Sequence, residues 1–168
     1  MSRFRSALDE TCDEQASALK RDLNSDEVEE LEDRALASWI KSERFDELIE
    51  HAHEEFELRD GEAFCMSLGS ALARRGDRTR FVRLFQGLAK SREAAFWRTW
   101  PQAQSGHVGA MKESAMHAAC ALDAMAALYT CYRLAKDSQG QAATKDEMLR
   151  LQGRTAPLRV KRSGASEA

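Results

Sequence analysis

Glu50-x-x-His53, and Glu113 with His117, each place an acid and an imidazole at a helical spacing able to share a ligand. A carboxylate-bridged pair of metal ions in a helix bundle draws on two Glu-x-x-His motifs and two further carboxylates. One such motif is present, and helix surfaces rich in Glu generate the spacing by chance, so no metal site is expected. His51 and His53 are expected to flank a buried face and touch water. His107 falls in a loop with no acid or nucleophile pattern beside it. No Gly-rich phosphate loop, Gly-x-Ser-x-Gly elbow or Cys–His pairing is found. These readings argue against an enzyme, so no catalytic residue and no cofactor are assigned.

Arginine is the other residue type with a chemical pattern. Arg74, Arg75, Arg78, Arg80 and Arg83 surround Gly76-Asp77, with Lys90, Arg92 and Arg98 beyond. Such a patch can neutralise phosphates. Against that reading, no recognition-helix motif is evident and the acidic first part of the chain would repel nucleic acid. The alternative is a solvated turn whose arginines pair with acids of neighbouring helices. The net charge of -3 conceals a division: residues 1–62 hold 20 Asp/Glu against 8 Lys/Arg, and residues 63–168 hold 8 against 17. A polarity of this kind steers a charged partner or lets the two parts complement each other.

The elements that must position these residues read as helices throughout. Two prolines, nine glycines and abundant Ala, Leu, Glu and Arg favour helix, and no stretch alternates as a strand would. The charged N-terminus lacks the apolar core of a signal peptide, and cysteines 12, 65, 120 and 131 lack paired short spacing. A cytoplasmic, all-α protein with reduced thiols is the expectation. One helical domain is predicted over residues 1–136, followed by a weakly ordered basic tail, 137–168, with a short helix near Lys145 to Leu151.

Phe4, Leu8, Cys12, Ala16, Leu19 and Leu23 predict a first amphipathic helix. Asn24 and Glu27 form a capping box that opens a second, with Val28, Leu31, Leu36 and Trp39 inward. Phe45, Leu48, Ile49, Ala52 and Phe56 define a third. Two short helices then fold back on each other around Gly76-Asp77, the first with Leu68 and Leu72 inward, the second with Phe81, Leu84, Phe85 and Leu88. Ser91 to Trp100 is expected as a further helix, stopped by Pro101 and a nine-residue loop. The most apolar stretch, Ala110 to Leu134, carries Met111, Ala115, Ala118, Leu122, Met125, Tyr129 and Tyr132 as a heptad seam. Asp123 at its centre and its short apolar run argue against a membrane span. A buried packing helix is expected, with a homodimer through the same seam as the alternative. Trp97 and Trp100 are expected in the core.

Helix starts near 26, 44, 62 and 77, with short loops, force antiparallel neighbours, and Phe45 and Arg78 occupy equivalent places 33 residues apart. Leu68-Gly69, Ala71, Gly76-Asp77 and Phe85 resemble the tetratricopeptide pattern of Leu-Gly, Ala, Gly-Asp and an aromatic. The resemblance covers about residues 29–93. Cys65 stands where that pattern has Trp, and Phe81 and Leu88 stand at its small-residue sites, so the helices must approach differently from a regular array. The resemblance implies antiparallel hairpins stacked as a short tetratricopeptide-like solenoid, here packed on the long apolar helix.

It also implies a groove for a peptide or helix of one protein partner, lined in the central unit by Ala63, Met66, Ser70, Ala73 and Arg74. The expected function is a non-catalytic adaptor or chaperone, in the manner of small bacterial tetratricopeptide chaperones. A second expectation is an inhibitor or immunity protein whose acidic helices 26–60, through Glu54, Glu55 and Glu57, block a basic enzyme. A third, from a different class, is a nucleic-acid-associated regulator using Arg74 to Arg83.

Overall fold

The computed structural model describes residues 1–55 and 61–155, and every regular element among them is helical. In chain order these are α1 (Arg3–Leu19), α2 (Ser25–Lys41), α3 (Phe45–Glu55), α4 (Glu62–Arg74), α5 (Arg78–Gln104), α6 (Val108–Leu134) and α7 (Ser138–Thr155). The expected all-α class holds, and the starts of α2 to α5 fall within a residue of those read from capping signals. Phe56 and Glu57 lie outside the described residues.

Five of the seven helices (α1, α2, α5, α6 and α7) begin where a side chain satisfies a first-turn amide, which would otherwise lack an intrahelical partner, while α4 begins at Gly61 with no side-chain cap. Ser2 accepts from the amide of Arg5, and Asn24 and Glu27 bond reciprocally as a full capping box. Asp77 accepts from Arg80, His107 Nδ1 from Ala110, and Asp137 from Gly140. His107, expected to be idle in a loop, is therefore the N-cap of α6.

The helix ends share one device. After α2, α4, α5 and α6, a left-handed residue (Glu43, Gly76, Gly106 or Lys136) turns the chain. The amide after it bonds back across six residues: Arg44 to Trp39, Asp77 to Leu72, His107 to Gln102, Asp137 to Tyr132. This double closure satisfies carbonyls that the helix end leaves open. In three of the four turns, the residue that closes one helix also caps the next. Asp77, His107 and Asp137 lie 30 residues apart, so α5 and α6 are equally long.

Two expectations change along α5 and α6. Pro101 does not end a helix; it lies inside α5, whose last turn closes with the Ser105 amide on the Pro101 carbonyl. A proline removes one amide bond and crowds the carbonyl four residues back, but only three helical residues follow it here, so little of the ladder is disturbed. The second change concerns the seam of α6. Ala110, Ser114, His117, Ala121, Ala124, Leu128 and Cys131 are buried, with the 4-3 spacing expected, but one residue out of phase with the predicted set. Of the expected set, Ala118, Met125 and Tyr132 are buried, while Ala115 is exposed and Met111, Leu122 and Tyr129 are half-buried. Among the described residues the most extensive helix contact is α5 on α6, and many of the side chains that α6 buries are small, which lets a neighbouring backbone approach.

Beyond α6 the chain stays ordered for eighteen residues in α7, where only a short helix was expected. Gly140, Thr144, Leu151 and Thr155 form its buried stripe. The Tyr132 ring of α6 lies where a Cβ on Gly140 would stand, so only glycine admits it. Gly69 works the same way: an added Cβ would be 2.5 Å from the Phe85 ring and 3.0 Å from Cys131 Sγ, so α4 meets α5 and α6 at this point. The remaining expected tail, 156–168, lies outside the described residues. No helix among the described residues is long and apolar enough to cross a membrane.

The core runs from α1 to α6, with Phe4, Leu48, Leu68, Phe81, Phe85 and Leu128 essentially sealed from water. His51 belongs to it, at 1% exposure, and does not touch water as expected. Its Nδ1 lies 2.7 Å from Ser2 Oγ, and the Phe4 and Phe64 rings enclose it at 4.7 and 5.3 Å. Burial pushes its pKa below the usual histidine value, so the neutral ring is the folded form. All four cysteines are free thiols; burial raises those of Cys65 and Cys131 to about 12, which keeps them protonated and unreactive. Trp97 is 43% exposed and Trp100 half-buried, flanking the buried Phe96.

Candidate partner-binding surface

The five groove residues read from the central unit do not share one environment. Ala63 and Arg74 are exposed at opposite ends of α4, Met66 and Ser70 are half-buried between them, and Ala73 is sealed in the core at 2% exposure. Ala73 therefore presents no surface to a partner. Its position follows from the α4 stripe of Cys65, Leu68, Gly69 and Leu72, which turns this side of the last turn inward.

Ala63 and Phe64 border a hollow of about 580 Å³ between the N-terminal ends of α2 and α4. Leu23 and Val28 add apolar wall, and Glu29, Glu32 and Asp33 stand along its α2 side. Two neighbouring acids are occupied: Glu27 binds Arg21 and Glu30 binds Arg34. Glu29, Glu32 and Asp33 make no ion pair among the described residues. Burial raises the Glu32 pKa, with Asp33 and Glu29 adding to the effect and Arg5 opposing it. An apolar trough with three unneutralised carboxylates on one wall takes a cationic side chain beside an apolar one. Sequence reasoning had Val28 as core and named helices 26–60 as the acidic surface, which includes α2, but chose Glu54, Glu55 and Glu57 as its contact residues.

The acids chosen from the sequence lie elsewhere. Glu54 and Glu55 are exposed at the end of α3, and Glu54 is 3.6 Å from the N-terminal ammonium group. They border a second hollow, about 530 Å³, between α3, α5 and α6. This hollow gathers His53 and the Glu113–His117 pair, the two motifs at ligand spacing. His53 Nε2 is committed to the Leu84 carbonyl at 2.9 Å, and its ring occupies the space that a side chain on Gly87 would take. His117 lies 3.4 Å from Arg92 and 3.6 Å from Glu113. Among the described residues no group of three or more His, Cys, Asp or Glu is placed to hold a metal ion. Both signs of charge line this hollow, Glu54, Glu55 and Glu113 against Arg92 and Arg98.

The arginines around Gly76-Asp77 are tied down. Arg80 binds Asp46 at 2.7 Å and Asp77 at 2.8 Å, Arg83 binds the same Asp46, Arg75 binds Glu43, and Arg78 reaches Asp137 at 3.4 Å. The hydrogen bonds from Arg80, then Arg83, hold Asp46 down to about 2. The cluster fastens the α2–α3, α4–α5 and α6–α7 turns to one another and spends its charge inside the molecule. By contrast, Glu29, Glu32 and Asp33 at the α2/α4 hollow are in no ion pair among the described residues. No family model matches the chain, and neither a curated protein nor a solved structure was found to match it.

Proposed function

We propose that this chain is a non-catalytic protein-binding adaptor or chaperone, and that its recognition face is the α2/α4 hollow. The carrying observation is the contrast in neutralisation. The arginine cluster is paired within the fold, whereas Glu29, Glu32 and Asp33 stand unpaired beside apolar Leu23, Val28 and Phe64. Burying apolar surface beside unmatched charge gains most when a partner supplies both complements.

The tetratricopeptide-like reading supports the same face. The first helices of successive hairpins, α2, α4 and α6, pack in series, α2 on α4 and α4 on α6, while α3 packs on α5. In such a stack the first helices line the groove. The inhibitor reading uses this acidic surface too, with α2 in place of Glu54 and Glu55 as its source. Nucleic-acid binding through Arg74 to Arg83 has less support, because most of those charges are already met.

The test is a photo-crosslinking residue at Ala63, with a control at exposed Leu149 on α7. A partner protein captured from host lysate through position 63, and lost on E29K/E32K/D33K, is the expected result. Equal capture from both positions, or capture indifferent to the charge reversal, would exclude the hollow as the recognition face.

A further inference from the structure

The α2/α4 hollow has a counterpart on the same chain. The large apolar side chains exposed among the described residues are Met1, Leu19, Trp97, Val108, Leu134 and Leu149. Of these, Leu134 is flanked within two residues by two cations, Arg133 and Lys136, that make no ion pair among the described residues. The others lack that company. Leu19 has one free cation, Lys20, since Arg21 binds Glu27; Arg150 beside Leu149 binds Glu147; and Trp97 has Arg98 alone next to it. Leu134 ends α6, Lys136 turns the chain in the left-handed conformation, and the Asp137 amide donates back to the Tyr132 carbonyl. The corner between α6 and α7 therefore presents Arg133, Leu134 and Lys136 together, all three exposed.

This corner supplies both complements of the hollow. Leu134 matches the wall of Leu23, Val28 and Phe64, and the two cations match Glu29, Glu32 and Asp33. An arginine bonds a carboxylate through two parallel N–H groups, and apolar contact beside the pair strengthens it by excluding water. Within one molecule the two features stand apart. Arg75 on Glu43, and Arg78 on Asp137, gather the ends of α2, α4 and α6 at one end of the stack. The hollow lies between the starts of α2 and α4, at the other end. Along α4, Ala63 and Arg74 are about 17 Å apart at 1.5 Å per residue. Contact between corner and hollow therefore joins two copies, head to tail. A heterologous contact of this kind leaves one hollow and one corner unfilled in every pair, so it extends into rows or closes into rings.

We infer that the α6–α7 corner of one copy, through Arg133, Leu134 and Lys136, docks in the α2/α4 hollow of a second copy, so that the chain associates with itself head to tail. The inference rests on the reading of the hollow as the recognition face and names one occupant of it. Self-association and capture of another partner then compete for the same acids. The apparent affinity for that partner is lowered by the fraction of hollows already filled. Recognition is limited to partners that present a better apolar and cationic corner than the chain itself does.

The experiment is sedimentation velocity of the full chain over a wide range of concentration. The sedimentation coefficient should climb with concentration at low salt and return to the monomer value at about 1 M salt, where charges are screened within about 3 Å. E29K/E32K/D33K and R133Q/L134Q/K136Q should each be monomeric alone. Mixed, they should form a dimer and nothing larger, because one intact hollow and one intact corner remain between them. None of the six side chains is buried. A second measurement leaves both surfaces unaltered: with the photo-crosslinking residue at Ala63, a mixture of isotope-labelled and unlabelled copies should give an intermolecular crosslink to the peptide holding residues 133–136. A chain that stays monomeric throughout, an oligomer indifferent to salt and to both variants, or a crosslink to another peptide would overturn the inference. If position 63 still captures a host protein while the chain stays monomeric, the adaptor reading stands and self-docking alone falls. A head-to-tail crosslink with no host protein captured would do the reverse.

Discussion

Around α1 to α4 the helices are spaced by rings, whereas along α5 and α6 they are drawn together by small side chains. Phe4 touches Trp39, His51 and Phe64 with ring centroids 5.1, 4.7 and 5.5 Å apart, so four elements converge on one aromatic knot. α6 buries Ala110, Ser114, Ala121, Ala124 and Cys131, and its contact with α5, which includes the Thr99–Ser114 hydrogen bond, is the larger of the two. The ring cluster derives its stability from area per residue. The long hairpin derives its own from close approach repeated along its length. The two regions should therefore fail under opposite substitutions, one when volume is removed and the other when it is added.

The largest effect is expected from Phe4→Ala. Phe4 is fully buried, and its loss should cost about 3–5 kcal/mol in urea unfolding. Ala124→Leu should come next. Alanine there has no exposure, and a leucine must push α6 from the helices packed around it at about 1–3 kcal/mol. Should Phe4→Ala prove mild, or Ala124→Leu neutral, the contrast between the two packings would collapse.

A pH series sharpens the comparison, because the ring cluster holds His51 at 1% exposure. The folded pKa of His51 lies below its unfolded value near 6.5, so the unfolded chain binds the extra proton. Stability is then constant above about pH 6.5 and falls as the pH drops toward the folded value, with a slope bounded by one proton. His51→Gln should flatten that window. A separate loss at lower pH, as Asp46 protonates between its ordinary value and about 2, should persist in the variant. The smallest effect should be a gain. Lys136 sits at φ 56, where glycine is unstrained, and Lys136→Gly should add about 0.5–1 kcal/mol.

The same contrast explains what could be read in advance. Helix starts were legible because capping chemistry is local: Asn24 with Glu27, and Gly76 with Asp77, announce themselves within four residues. The ring cluster was legible because large apolar residues at helical spacing face inward wherever they occur. The α6 seam was read one residue out of phase, since hydrophobicity favours Met111, Leu122 and Tyr129 over the Ala, Ser and Cys that close approach selects. α7 was cut short for the same reason, its buried stripe being Gly140, Thr144, Leu151 and Thr155. His51 could not be placed without knowing that Ser2, 49 residues earlier, would return to it. The acids of α2 were visible, but nothing in the sequence told which acids α4 would face and which an arginine would neutralise.

The three-residue turns, repeated after α2, α4, α5 and α6, also bear on how quickly the chain finds its shape. Each is closed by hydrogen bonds within six residues, and the largest interface joins two helices separated by only Ser105, Gly106 and His107. Little loop entropy opposes the first docking event, and α5 with α6 can zip from the turn outward. Low contact order of this kind corresponds to folding on the order of microseconds to milliseconds. The knot at Phe4 is the opposite case, since α1 completes its ring contacts only when α3 and α4, as well as α2, are in place. Refolding followed at Trp39 should thus lag the gain of helix signal, with α1 docking as the closing step.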